Sequence, residues 1–249
     1  MAISFLGSAE NSAANGGDVT LDLTGITGLA GGDLVIVGYA IGHDNNTGRD
    51  LTINTPTDYI EVADLLVGDT QDCELGVFYK VQGASPDASV VVEGHGGMDD
   101  AVVAVAMAFR GVDTTTPMDV TATTANNSDQ SNPDPPSISP ATAGAWVVIV
   151  GATAHVFGGA GTYTFPTGYT TDAIDRSADD ADDVSIGMGY NSSPASPTES
   201  PGLMLHSGGT AATDSWLAVT LALRPAADGG GGGGSILPWI THQSSQMVH

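Results

Sequence analysis

The sequence predicts an all-β fold, built from two homologous β-sandwich or jelly-roll-like repeats in tandem, a glycine-rich hinge and a short C-terminal docking tail. Three observations lead to this prediction. Residues that favour helices are scarce, with one Lys, four Arg and five Glu among 249 residues, whereas Thr, Val, Gly, Asp, Ser and Pro are abundant. Short apolar or alternating runs are separated by turn residues. Five segments recur once, in the same order, in the second half of the chain.

In the first half, five segments have the pattern of strands. Residues 18–23 (DVTLDL) alternate with period two, and residues 33–41 (DLVIVGYAI) are almost continuously apolar, as in a strand buried on both faces. Residues 74–81 (ELGVFYKV), 89–94 (SVVVEG) and 104–112 (AVAMAFRGV) complete the set. Turn-forming Gly, Pro, Asp and Asn lie between them. Strands at this spacing, without helical segments between them, indicate a sandwich or jelly roll.

Residues 101–109 (AVVAVAMAF) contain enough alanine to form a helix, so their assignment needs a second argument. The corresponding segment 215–223 (SWLAVTLAL) contains Trp, Val and Thr and alternates, which favours a strand in both halves. In that second strand, the even-numbered residues of 216–222 would face one side and the odd-numbered residues of 217–223 would face the core.

The second half of the chain repeats the first. Corresponding segments lie 110 to 114 residues apart and keep their order, which chance rarely produces for five segments. The pairs are 34–38 with 147–151, 55–59 with 165–169, 75–79 with 186–190, 83–86 with 194–197, and 100–110 with 214–224.

This duplication predicts the division of the chain. We expect a first β-sandwich repeat over 1–116, a second over 117–226, a glycine-rich linker over 227–235 and a C-terminal docking segment over 236–249. Two copies form either tandem domains or one larger sandwich with pseudo-twofold symmetry, and the sequence leaves both open.

The charge excludes several kinds of partner. The net charge of −24 repels phosphate backbones and anionic membrane surfaces, so we expect no nucleic-acid binding and no membrane insertion. The longest apolar stretch, 101–109, is too short to span a bilayer. The first residues lack a basic start and a long apolar run, so synthesis in a cytoplasm without a signal peptide is expected. A single cysteine, Cys73, allows no intrachain disulfide.

The sequence contains no catalytic or metal motif, but its histidines are repeated. There is no G-x-S-x-G, phosphate loop, H-E-x-x-H or paired-cysteine signature. His43 aligns with His155, and His95 aligns with His206. This repetition indicates either a metal or ligand site present in each half or turn chemistry inherited through the duplication. We expect no catalytic residues and no cofactor, with calcium as a candidate ion.

Two acidic loops are the candidate calcium sites. In the first, the oxygen donors Asp44, Asn46 and Asp50 are spaced along one loop, and the second spans 179–183. Neither fits the twelve-residue EF-hand, and Asx-rich hairpin tips are the common alternative. Arg110 and Arg224, which end equivalent strands, are expected to pair with acidic neighbours.

One stretch resembles a family pattern. Residues 109–120 (FRGVDTTTPMDV), a second half opening with 136–140 (PSISP), and a Trp-bearing closing strand over 216–224 resemble β-rich accessory proteins of tailed bacteriophages, of the fibre, spike or decoration type. The resemblance covers roughly 1–226. It implies a structural virion protein at the particle surface, a homo-oligomer in the particle, without transferable catalytic residues.

The C-terminal tail fits this implication. Six consecutive glycines (229–234) form a hinge without a conformation of their own, and an apolar segment follows them. The residues predicted to dock on a capsid or tail protein are Ile236, Leu237, Pro238, Trp239 and Ile240. Trp239 is the expected anchor, because large aromatic side chains dominate small interfaces. Head and tail locations both remain open.

Two other functions compete with the structural one. A carbohydrate-binding adhesin module needs aromatic platforms, and contact with a host surface glycan or protein is compatible with a fibre. Its candidate aromatic residues are Tyr39, Tyr59, Tyr163, Tyr169 and Trp146. A polysaccharide-degrading enzyme would need two carboxylates facing one cleft, and the sequence singles out no such pair.

Overall fold

The architecture was obtained as a computed structural model. It describes residues 1–14, 16–43, 50–68, 72–94, 100–128, 132–155, 162–170, 172, 174–178, 183–207 and 214–227. These residues form fifteen strands and no helix, which confirms the predicted all-β class. In the same part of the chain, no helix is long and apolar enough to cross a membrane.

The strands follow one another closely along the chain, as the turn residues between the apolar runs predict. In chain order they are β1 (Ser4–Ala13), β2 (Val19–Asp22), β3 (Leu34–His43), β4 (Ile53–Thr55), β5 (Ile60–Val67), β6 (Asp72–Val81), β7 (Ser89–Val92), β8 (Ala101–Arg110), β9 (Thr123–Asn127), β10 (Trp146–Thr153), β11 (Tyr163–Thr164), β12 (Ile174–Ala178), β13 (Val184–Asn191), β14 (Leu205–His206) and β15 (Trp216–Leu223). The alanine-rich segment 101–109 is therefore a strand, as expected.

The first half forms a five-stranded antiparallel sheet in the order β1-β8-β3-β6-β5. A smaller three-stranded sheet, β2-β7-β4, belongs to the same half. The almost continuously apolar strands β3 and β8 lie next to each other at the centre, and β3 is buried along its whole length. This agrees with a strand that is covered on both faces.

The second half forms another five-stranded antiparallel sheet, β9-β15-β10-β13-β12, and a two-stranded sheet of β11 and β14. The central strand β10 corresponds to β3, and its neighbours β15 and β13 correspond to β8 and β6 in the alignment of the halves. Equivalent segments therefore occupy equivalent positions in the two large sheets.

The two large sheets pack face to face. The main core contains side chains from both, including Ile36 and Val105 from the first half and Val150 and Leu221 from the second. The sheets approach closely at Gly38, where an added Cβ would lie 3.0 Å from Val150 Cγ1. The outer faces are also covered. A second core lies between the first large sheet and the three-stranded sheet, and a smaller third core lies outside the second large sheet.

Burial of both faces changes one expectation about β15. The alternation predicts a core on the odd-numbered side only, yet Thr220 is fully buried and Trp216 is 5% exposed. Leu217 and Leu221 face the first large sheet, whereas Ala222 belongs to the outer core. The expectation was incomplete because the sequence pattern does not show which strands and loops cover the second face of a sheet.

The molecule has two distinct ends. Phe5 and Phe109 from the first half contact Tyr190 from the second, with ring centroids 5.1 and 5.6 Å from it, and Trp146 stacks on Tyr190 at 5.1 Å. This places the end of β8 beside the start of β10. Met1 lies at the same end, where its amino group donates to the Ala226 carbonyl at 2.7 Å. We call this the terminal end.

The opposite end carries the last residues of β3 and β10. Arg176 Nε donates to Ser12 Oγ at 3.0 Å. Ser12 pairs with Val103 near the start of β8, and Arg176 pairs with Ile186 near the start of β13. The starts of these two strands therefore lie together, which brings His43 and His155 to one end. We call this the histidine end.

Candidate functional site

In the first half, the histidine end contains a buried cluster of one imidazole and three carboxylates. His43 ends β3 and is fully buried, and strand pairing places it opposite Asp72. Its Nδ1 lies 3.8 Å from Asp72 Oδ2, and its Nε2 lies 3.7 Å from Glu74 Oε1. Asp100, next to the start of β8, is buried as well.

The electrostatics of this cluster favour a charged imidazole. Burial by itself lowers the pKa of His43, because it removes water from the charged form. Contact with Glu74 and the charges of Glu74, Asp72 and Asp100 outweigh that loss, and the pKa of His43 is raised. A protonated His43 offsets part of the negative charge that these strand ends bury.

In the second half, two histidines meet at the same end of the molecule. His155 Nδ1 lies 3.5 Å from Asp214 Oδ2, and the rings of His155 and His206 are edge to face at 5.4 Å. His206 belongs to β14, which pairs with Tyr163 of β11, and these two rings lie 5.2 Å apart. Burial and the charge of His155 lower the pKa of His206 to about 4. His206 is therefore neutral at pH 7.

The two clusters are equivalent in position but not in composition. His43 and Asp100 of the first half correspond to His155 and Asp214 of the second. Among the described residues, no group of three or more His, Cys, Asp or Glu is arranged to hold a metal ion. His95, the fourth histidine of the repeated set, lies outside the described residues. The geometry therefore shows ionisable side chains buried close together at strand ends.

Sequence reasoning singled out His43 but missed its acidic partners. The signal that could have found them is the triplet Asp72-Cys73-Glu74 at the start of a strand that is otherwise apolar. A carboxylate at the end of a strand buried on both faces needs a cation or hydrogen-bond donors. The antiparallel neighbour of β6 supplies His43 at that position.

The structure does not test the predicted calcium sites. Asp44 and Asn46 lie outside the described residues, and Asp50 is exposed. Of the second acidic loop, only Asp183 is described. Calcium binding at these loops stays a prediction.

At the terminal end, both predicted arginine ion pairs are confirmed. Arg110 binds Asp33 through two bonds, Nε to Oδ1 at 2.9 Å and Nη2 to Oδ2 at 2.7 Å. Arg224 Nε donates to Asp119 Oδ1 at 3.2 Å. Asp119 also accepts from the backbone of Thr142 at 2.9 Å and so fixes the loop that precedes β10. Burial by itself raises the pKa of Asp119. The hydrogen bonds that Asp119 accepts from Thr142, Ala141 and Arg224 outweigh the effect of burial, so the pKa of Asp119 is lowered.

The same end contains a continuous groove, which we call the terminal groove. It consists of two adjoining depressions of about 430 and 470 Å³ that share Thr142, Ala143, Gly144 and Ser192. The first continues over residues 140–145 and 192–196. The second is completed by Met1, Ala2, Ile3, Trp146, Pro225, Ala226 and Ala227. The half-buried Trp146, which lines the second depression, stacks on Tyr190.

The remaining predicted site residues differ in their outcome. The docking residues Ile236 to Ile240 lie outside the described residues, so docking stays a prediction. Of the aromatic residues considered for sugar binding, Tyr39, Tyr59 and Tyr163 are buried. Only Tyr169 and Trp146 of that set are partly exposed. Most of the candidate aromatic side chains are therefore packed in the cores.

The chain was compared with protein-family models, curated proteins and solved structures, and it matches none of them.

Proposed function

We propose that this chain is a structural protein of a tailed-phage particle, a fibre, spike or head-decoration subunit at the particle surface. It attaches through its C-terminal segment 236–249. One observation carries the proposal beyond the resemblance in sequence. The chain leaves the folded body at the terminal end, beside Met1, whereas the connections after β3 and β10 leave at the opposite end. Attachment at one end leaves the other end facing outward.

We further propose that 1–116 and 117–226 are copies of one ancestral unit, each contributing one large sheet to a single pseudo-symmetric sandwich. The support is that equivalent strands take equivalent places in the two sheets and that both halves contribute to one core. Side chains that interdigitate between two sheets give a body that resists deformation. Such a body suits a protein that must survive outside a cell.

The acidic surface is consistent with this role. A net charge of −24 opposes aggregation of free copies and adsorption to the nucleic acid of a lysate. It also opposes unspecific adhesion to an anionic cell envelope. Binding to the host, if the histidine end provides it, would then depend on specific loop contacts.

The test is immunogold electron microscopy of phage particles with an antibody raised against the folded body. We expect gold on the head or on the tail of intact particles. We expect none when the chain lacks 229–249, with the truncated protein still soluble and abundant in the lysate. A matched control exchanges Ser85, an exposed serine outside segment 236–249, for alanine and retains labelling.

Labelling that persists without 229–249 would contradict attachment through the tail. No gold on intact particles, with abundant free protein, would contradict the virion proposal itself. Binding to a glycan array would then support the adhesin, and loss of viscosity in host polysaccharide would support the enzyme.

A further inference from the structure

We infer that the terminal groove is the binding site for the chain's own C-terminal segment, residues 236–240, bound within the same molecule. This inference concerns the free protein. It holds or fails whether or not the chain joins a phage particle.

The first argument is charge. No Asp, Glu, Lys or Arg side chain lines either depression of the groove. The charge that is present, the amino group of Met1, donates to the Ala226 carbonyl. Three other depressions formed by described residues each include charged side chains, such as Glu10, Asp58 or Glu61. In a chain with 29 acidic residues, a groove lined by no charged side chain differs from these three depressions.

The second argument is complementarity with the proposed occupant. Residues 229–241 contain no charged side chain, and 236–240 (ILPWI) are apolar. The groove presents the side chain of Met1, which is 62% exposed, and the partly exposed surfaces of Trp146 and Pro225. Aromatic and proline rings of this kind accept another indole, here that of Trp239, in an offset or edge-to-face contact. The hydroxyl group of Ser192, which is exposed, can bind the peptide backbone.

The third observation is the length of the tether that connects the folded body to residues 236–240. Ala227 lines the groove, so the segment starts from the site that it would occupy. Eight residues, 228–235, connect Ala227 to Ile236. A tether of that length extends to at most about 28 Å. If it behaves as a glycine-rich linker, its root-mean-square span is about 16 Å. Ala227 lines the second depression, and the first depression adjoins it through four shared residues.

The same tether favours binding within one molecule over binding between copies. A short linker holds its ligand at an effective concentration in the millimolar range, so even a weak contact is formed. Two copies, each with a net charge of −24, repel each other before such a contact can form. A partner on a particle would have to displace the segment from the groove.

The experiment is fluorine NMR on the full chain labelled with 5-fluorotryptophan. The chain contains three tryptophans, Trp146, Trp216 and Trp239, and single Trp→Phe variants assign the resonances. We expect the Trp239 resonance to differ from that of a free 235–249 peptide. In Ala143→Glu, which places a charge at an exposed residue that lines both depressions, it should return to the free-peptide position. Ser192→Glu should do the same.

The matched control is Ala88→Glu, the same change at an exposed alanine outside the groove, which should leave the Trp239 resonance unmoved. The resonance of the buried Trp216 reports whether each variant is folded. A Trp239 resonance at the free-peptide position in the unmodified chain overturns the inference. So does a Trp239 shift that disappears on dilution, because that result means binding between copies.

Discussion

At the scale of single residues, the two buried histidines respond to pH in opposite directions. His43 has a raised pKa, so its stabilising contribution is fully present below its unfolded pKa of about 6.5. That contribution is lost as the pH rises through the folded pKa of His43. His206 has a pKa lowered to about 4, so its folded form resists protonation. Burial of His206, together with the charge of His155, therefore destabilises the fold when the solution is acidic.

The His206 prediction concerns the interval between its unfolded and folded pKa. As the pH falls from 6.5 towards 4, the unfolded chain takes up a proton that the folded chain does not bind. This costs about 3 kcal/mol of unfolding free energy at the acid end of the interval. We expect His206→Gln to lose less stability than the parent over this range in urea denaturation. The difference between the two proteins isolates His206 from the carboxylates.

His43→Gln is the companion variant in the same titration. It should lower the unfolding free energy below neutral pH, because it leaves three buried carboxylates without their cation. The parent, but not this variant, should lose stability as the pH rises through the raised pKa of His43. Parallel pH profiles for the parent and both variants would show that neither histidine has the environment described here.

At the scale of the strand, Gly38 of β3 controls how closely the two large sheets approach. A Cβ at this position would meet Val150 Cγ1 at 3.0 Å, and Ile186 Cδ1 and Met188 Cε at 3.3 Å. All three atoms belong to the opposite sheet. A larger side chain therefore has to push the sheets apart or force its neighbours into poorer rotamers.

We accordingly expect Gly38→Val to lower the unfolding free energy by about 2 kcal/mol, the usual cost of overpacking a well-packed core. Gly83→Ala is the control, because nothing lies within 4 Å of its added Cβ. It should be neutral or slightly stabilising. Chemical denaturation of both variants checks this. A Gly38→Val protein as stable as its parent would mean that the sheets can separate there without cost.

At the scale of the whole molecule, the core between the large sheets belongs to both halves. Ile36 and Val105 pack on side chains such as Val150 and Leu221, so either half alone would expose one face of its large sheet. An exposed apolar face of that extent is an aggregation liability rather than a stable surface. The two segments are thus expected to depend on each other for stability.

The test is to express 1–116 and 117–226 separately and together. We expect each alone to be insoluble or to lack a cooperative unfolding transition, and the co-expressed pair to be soluble and to unfold cooperatively. If either segment alone is a monomer that unfolds cooperatively, the halves are independent domains. Sedimentation and thermal denaturation distinguish the two results.

The amino-acid sequence alone predicts the all-β class, strands such as β3, β6, β8 and β15, and the pairing of both strand-end arginines with acidic neighbours, but it did not predict β1, β4 or β5. These properties follow from local patterns. Alternation and apolar runs define strands such as β3 and β15. Arginines are scarce and carboxylates are many in this chain, so Arg110 and Arg224 were expected to form ion pairs, and both do. The strand character of 101–109 also came from the sequence, through comparison with the similar segment 215–223.

The neighbours of each strand are known from the three-dimensional fold and not from the sequence pattern. The fold packed the two large sheets together, covered their outer faces and buried Thr220 on the side of β15 expected to lie outside the core. It brought His43 to Asp72 and Glu74, and His155 to His206, from segments far apart in the chain. The physical reason is that a strand's pattern specifies its own two faces, whereas its neighbours are selected by packing between distant segments.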